Sequence, residues 1–162
     1  MSASATTPPL FAAESIITWW EGYGAQQYPK SRNILILADN GGSNRSKSVA
    51  LKYHLWNSLC LQYGLTVQVC HYPTGASKWN PIEHRLFSEI SKNWAGEPLV
   101  NLQTALNFIR KTKTTSGLRV SAVLNRKHYQ CKEKISKEDA AQILIKRDSV
   151  FPDLNYRLLP PK

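Results

Sequence analysis

Two short apolar runs with a helical pattern between them set the first limit on what this chain can fold into. Asn33-Ile34-Leu35-Ile36-Leu37-Ala38 is nearly continuous in apolar residues, with Arg32 before it and Asp39-Asn40-Gly41-Gly42 after it. Such a run suits a strand buried on both faces, as in the middle of a parallel sheet. Leu65-Thr66-Val67-Gln68-Val69-Cys70 reads as a second strand, richer in β-branched residues. Between them Ser46 or Ser48 is placed to cap a helix whose Val49, Tyr53, Trp56, Cys60 and Tyr63 form one apolar stripe ending at Gly64. Strand, helix and strand in that order make a βαβ unit. The two strands are therefore expected to be parallel neighbours with a right-handed crossover, their C-terminal ends on one edge.

The flanking segments add helices. After a flexible start over residues 1–10, Ala13, Ile16, Ile17 and Trp20 recur at helical spacing, predicting a helix over about residues 11–26. Asn80-Pro81 opens another helix with Ile82, Leu86, Ile90 and Trp94 on one face, closed by Gly96 and Pro98. Leu102, Ala105, Leu106 and Ile109 mark a further one, and Ser136 with Asp139 forms a capping signature for a helix through about Lys146. Leu118 to Leu124 alternates as a strand would.

A length of 162 residues allows one compact domain with a real core, and the 42% hydrophobic and 20% charged fractions do not indicate disorder. The formal net charge of +10 points to a polyanionic partner, with nucleic acid ahead of an anionic membrane surface. Much of the excess lies C-terminally, where residues 111–148 hold ten Lys or Arg against four Asp or Glu, although a solvated surface also accounts for such a run. No run of 18 apolar residues and no export signal occurs, so a soluble, unexported cytoplasmic protein is expected. The three cysteines imply no disulfide framework. Cys70, His71, His128 and Cys131 are a conceivable but weakly supported zinc set.

The chemistry centres on two acids. Asp39 follows the first strand directly, and Glu83 sits in the first turn of the helix after the second strand. In an open α/β sheet, groups at the carboxyl ends of strands line the crevice where ligands bind, so two acids delivered there can share a divalent metal. Each acid also has a purely local reading: Asp39-Asn40-Gly41-Gly42 is turn chemistry, and Asn80 with Glu83 matches a helix cap with its reciprocal residue.

The combination of Asp39-Asn40-Gly41-Gly42-Ser43-Asn44, a βα unit, and the stretch from His71 through Asn80-Pro81-Ile82-Glu83-His84-Arg85-Leu86-Phe87 resembles the Rhodopirellula-type transposase family of bacterial insertion sequences. The Asn80-Pro81-Ile82-Glu83 segment is also similar to the corresponding helix start of mariner-like DDE transposases. The closer resemblance runs through nearly the whole chain from Phe11, including Glu14-Ser15-Ile16, Trp19-Trp20, Tyr28-Pro29, Asn93-Trp94 and Thr115-Ser116-Gly117-Leu118.

The resemblance implies a three-layer α/β, ribonuclease H-like fold. Residues 11–115 would form part of the catalytic core and residues 116–162 a basic extension of the same domain. It implies a site of three carboxylates and two Mg²⁺ ions, with Mn²⁺ as a substitute, in which Asp39 matches the second acid and Glu83 the third. The reaction would be cleavage and transfer of DNA strands by in-line attack on phosphorus. The family's first acid lies on a strand upstream of the helix with which this chain begins, and neither Glu14 nor Glu21, both in the first helical pattern, is placed to substitute. The expectation is an incomplete sheet with an open edge, from a truncated copy or the downstream product of a divided element, inactive alone and paired with intact transposase or an upstream fragment.

Arg45 and Lys47 after Asp39, and Lys78, Trp79 and Arg85 around Glu83, are the candidate contacts to transposon-end and target DNA, with Trp79 either stacking on a base or packing on the sheet edge. His71 and His84 would serve as polar loop contacts or touch phosphate, while His54 is expected to be exposed. A noncatalytic, inhibitory DNA-binding fragment is the alternative reading, and a ribonuclease H-like nuclease a weaker one. A nucleoid association would follow from the DNA partner.

Overall fold

The computed structural model describes residues 8–98, 100–130 and 133–162, with the side chains of Ser43, Ser77 and Glu83 outside the described set. These residues divide into two compact units, one formed by residues 8–74 with 129–162 and the other by residues 75–128. Most of the expected flexible start, Met1–Thr7, lies outside the described residues.

The first unit opens with helix α1, Pro9–Trp19, whose N-terminal Pro9 occupies a position where a missing N–H costs nothing. The helix continues through a π-helical turn, Trp20–Gly24, into Ala25–Gln27. Gly24 is required there because a Cβ would lie 2.7 Å from the Trp20 ring and 3.1 Å from the Trp19 ring. Strand β1 spans Asn33–Ala38. Helix α2, Val49–Leu55, is capped by Ser48, whose hydroxyl accepts from the Leu51 N–H at 3.2 Å. It runs into a second π-helical stretch, Trp56–Leu61, and ends at Gly64 in a left-handed conformation with φ 64°. Strand β2 spans Thr66–His71 and pairs with β1 in parallel, from Asn33 opposite Thr66 to Ala38 opposite His71, which is the expected βαβ pairing.

Two C-terminal strands complete the sheet. Strand β3, Ile145–Arg147, and strand β4, Asn155–Leu158, join antiparallel, giving the order β1-β2-β4-β3. The fold is therefore mixed α/β with a four-stranded mixed sheet among the described residues. Ile34, Val67, Val69, Tyr156 and Leu158 pack with Ala13, Trp20 and the apolar side of α2 into one core.

Several expectations need correction. Among the described residues β1 is an edge strand, not a central one, and it is buried on one face only: Leu35 and Leu37 remain 61% and 50% exposed. Trp56 and Cys60 of the expected stripe are buried, but the buried side also takes in Leu51, Leu55 and Leu59, while Val49 and Tyr63 are exposed. The difference is already present at Val49, Leu51 and Leu55, ahead of the π-helical stretch that begins at Trp56, so it is set by what the helix packs against. His54 is not free in solvent: its Nε2 lies 2.7 Å from the Glu133 carboxylate, with only 14% of its side chain exposed. The helix capped by Ser136 spans Lys137–Gln142 and stops ahead of β3 rather than reaching Lys146.

In the second unit, the Asn80 side chain accepts from the Ile82 N–H at 3.2 Å at the helix start. The chain continues as a π-helical turn, Glu83–Phe87, and then helix α3, Ser88–Asn93. Helix α4, Leu102–Lys111, is capped by Asn101, and Asn93 Nδ2 donates to the Phe108 carbonyl at 2.5 Å to join the two helices. Residues 118–124 do not form the expected strand. Lys113 and Arg119 make one isolated bridge, and the Arg110 guanidinium, donating to the Ala122 carbonyl at 2.8 Å, holds the segment instead. Within the described residues no helix is long and apolar enough to cross a membrane.

Candidate functional site

Because Ala38 stands opposite His71 in the ladder, β1 and β2 end together and the segments after them leave the sheet at one edge. Asp39 is the first residue beyond β1, and its exposed carboxylate is held by the turn it begins. Asn44 Nδ2 donates to Asp39 Oδ1 at 3.0 Å, and the Asn44 N–H donates to the Gly41 carbonyl at 3.0 Å. Asn40 Oδ1 accepts from the Ser46 N–H at 2.9 Å, which fixes the far side of the loop. A Cβ on Gly41 would lie 3.1 Å from Asp39 Oδ2, so glycine keeps that oxygen clear. One carboxylate oxygen is thus positioned, and the other accepts no hydrogen bond among the described residues.

His71 supports this turn from below. It is 6% exposed, with Nδ1 2.7 Å from the Leu154 carbonyl and Nε2 2.7 Å from the Asn44 carbonyl. One ring therefore ties the Asp39 turn to the segment entering β4, and its nitrogens are occupied by the protein's own backbone. Arg45 and Lys47 follow on the same loop, both exposed.

The second acid belongs to the other unit. Glu83 is the first residue of the π-helical turn before α3, and its side chain lies outside the described residues. Around its backbone the structure gathers Lys78, Trp79, His84 and Arg85. Lys78 and Trp79 form a short 3₁₀ turn, Ser77–Trp79, with Lys78 Nζ 5.3 Å from the centre of the Trp79 ring. His84 Nε2 lies 2.8 Å from the Lys78 carbonyl, linking that turn to the helix start. Trp79 is 70% exposed rather than packed away, and Arg85 is exposed as well. Each unit thus carries one candidate acid with cations near it in sequence.

No cluster of three or more His, Cys, Asp or Glu side chains suited to a metal occurs among the described residues. A single carboxylate with a free oxygen still fits Mg²⁺, which is held by one or two carboxylates and completes its shell with water and phosphate oxygens. The zinc alternative finds little support. Cys131 lies outside the described residues, both His71 nitrogens are taken, and Cys70 Sγ receives Gln68 Nε2 at 3.5 Å. Burial pushes the Cys60 thiol up to about 12, which removes it as a nucleophile. Glu14 and Glu21 are engaged elsewhere, accepting from the hydroxyls of Tyr129 and Tyr63, each at 2.6 Å.

Sequence reasoning missed Asn44 and Asn40, which shape the Asp39 turn. Their signal was the density of Asx residues around two glycines, a composition that builds side-chain-closed turns. It also missed Lys52, buried at 7% exposure beneath the Tyr156 ring with its amine 4.9 Å from the ring centre. Burial, and then the Arg147 charge, hold the Lys52 amine below its usual range.

A family model described as the Rhodopirellula transposase DDE domain matches residues 3–160. No curated protein and no solved structure matches the chain.

Proposed function

The chain belongs to the Rhodopirellula transposase DDE domain family, and on that premise we propose that Asp39 and Glu83 are two of the three carboxylates of a Mg²⁺-dependent DNA strand-transfer site on a ribonuclease H-like core. The observation that carries this reading is the setting of Asp39: at the carboxyl end of a strand, oriented by Asn44 through one oxygen, with the other left clear by Gly41. Mg²⁺ held there would supply Lewis-acid stabilisation of charge on the phosphodiester under attack. The residues themselves would bind and orient. Asp39 and Glu83 fix the metal-binding edge, while Arg45, Lys47, Lys78 and Arg85 hold phosphates and Trp79 offers its exposed ring to an unpaired base at a transposon end.

We propose that the remaining acid comes from another segment, because Glu14 and Glu21 lie in the first helix and its π-helical continuation, not at a strand end. The outer side of β1, the strand that ends at Asp39, pairs with no strand among the described residues and is the natural place for a further strand to add. An upstream fragment or an intact transposase is the proposed partner, with transposon ends and target DNA as substrates at the bacterial nucleoid. The second reading is a noncatalytic chain that occupies transposon ends.

The test is nicking of DNA bearing the element's ends. The 162-residue chain alone is expected to leave it intact, and the chain mixed with the upstream segment is expected to nick it only with Mg²⁺. Asp39→Asn and Glu83→Gln should each abolish the reaction. Nicking that survives either substitution overturns the assignment, whereas DNA binding without nicking in the mixture favours the noncatalytic reading.

A further inference from the structure

The β3–β4 hairpin carries an arrangement that neither acid explains. Lys146 and Arg157 stand directly opposite one another in the ladder and project from the sheet face away from the core, where both are exposed. Like charges in directly opposed positions repel and destabilise a sheet. No carboxylate among the described residues forms an ion pair with either cation: the pairs there are His54 with Glu133 and Lys92 with Glu89. Asp148, the nearest acid in sequence, uses Oδ1 to accept the Val150 N–H at 3.1 Å.

The cations are also oriented. Arg157 Nε donates to Gln68 Oε1 at 2.5 Å on the neighbouring strand, so its two terminal nitrogens point onward without a partner among the described residues. Arg147 Nη1 donates to the Pro152 carbonyl at 2.9 Å. Lys146 and Arg157, with the chain through Arg147, Asp148 and Ser149, line a recess of about 400 Å³, Arg147 itself standing opposite the buried Tyr156. We infer that this recess is a phosphate-binding site for the backbone of duplex DNA, separate from the contacts expected near Asp39 and Glu83.

The loop between the strands favours nucleic acid over an acidic protein. Phe151 sits at its tip in a left-handed conformation, φ 53°, which a bulky residue seldom adopts, and is 67% exposed. The Leu154 and Asn155 N–H groups both donate to its carbonyl at 2.9 Å, so the tip is built rather than loose. A fixed aromatic tip beside cations suits a groove flanked by phosphates, where such side chains wedge against base steps. The row containing Leu35, Gln68, Arg157 and Lys146 crosses the sheet four residues below Asp39. By strand geometry, Lys146 is therefore on the order of 20 Å from Asp39, or about six base pairs of duplex. The inference rests on DNA being the substrate, but not on metal binding by either acid.

The test is the salt dependence of binding by the full chain to a random-sequence duplex, read by fluorescence anisotropy. Each lost phosphate contact should flatten the plot of log affinity against log salt by about 0.9, so Lys146→Gln with Arg157→Gln should flatten it by about 1.8, equally on random and end-containing duplexes. Lys146→Glu should weaken DNA binding while raising the melting temperature, since it turns the repelling pair into an attracting one. An unchanged slope in the folded double variant overturns the inference, as does loss of poly-glutamate binding with DNA binding intact. Should Arg45→Ala with Lys47→Ala alter the slope while the hairpin variants do not, only this inference fails. If the unsubstituted chain binds no duplex at all, the transposase reading falls with it.

Discussion

The two faces of the sheet are made by the same four strands and behave as different materials. One face buries Ile34, Val67, Val69, Tyr156 and Leu158 against α1 and α2; the other leaves Leu35 and Leu37 in solvent at one side and Lys146 with Arg157 at the other. Strand alternation separates the two sets residue by residue. The lesson is that stability resides on the covered face, whereas the uncovered face carries apolar and cationic groups that contribute little to holding this chain together and are free to meet a partner.

The largest effects of substitution are expected in the core. Leu55→Ala, at a residue 1% exposed, should cost ~2–5 kcal/mol by urea unfolding, whereas Leu35→Ala should stay within about 0.5 kcal/mol. Comparable losses at the two positions would mean that the open face is covered in solution.

Lys52 sharpens the same contrast, being a cation on the buried side. With its amine held below the usual 10.5, the unfolded chain binds more protons between the two values, so stability from this group rises with pH across that window. Burial raises the Tyr156 phenol above its usual 10.0, so above that pH the unfolded chain loses its proton first and stability falls. Lys52→Met should add on the order of 1 kcal/mol at neutral pH and abolish the rising limb, leaving only the fall above pH 10. Thermal melts across pH check this.

At the edge where both faces end, Asn44→Ala should free the Asp39 carboxylate and cost about 1 kcal/mol or less in stability, with weaker metal affinity as the larger effect. The smallest change belongs to the open face: Leu37→Lys should leave the melting temperature within about 2 °C while raising solubility, read from the concentration at which the chain precipitates.

How much of this was legible in the sequence depended on the range over which each element is decided. The β1–β2 unit and the caps at Asn80 and Ser136 are local and legible directly, and Ser48 is one of the two cap candidates, with Ser46, that the sequence leaves open. The buried face of α2 could not be read, because Val49 and the Leu51–Leu55 row are both apolar and which of them faces inward is decided by what the helix packs against. β3 is three residues long, too short for a pattern, and exists because β4 is beside it. Asn155-Tyr156-Arg157-Leu158 does alternate, but four residues between turns carry little weight alone. Burial of β1 on both faces was inferred from an unbroken apolar run, yet composition does not say whether a covering layer is present. The position of Asp39 followed from the strand end, while Asn44 and His71 depended on how the loop closes, which no spacing rule fixes.

The central proposal is that Asp39 and Glu83 both serve a divalent-metal site. Its most direct test is Mn²⁺ binding to the full chain by electron paramagnetic resonance, with Mg²⁺ as competitor. The account predicts a site that Mg²⁺ displaces, weakened at least about tenfold by Asp39→Asn and by Glu83→Gln, with the double variant little worse than either alone. Binding that neither substitution alters, or no binding by the unsubstituted chain, would contradict it.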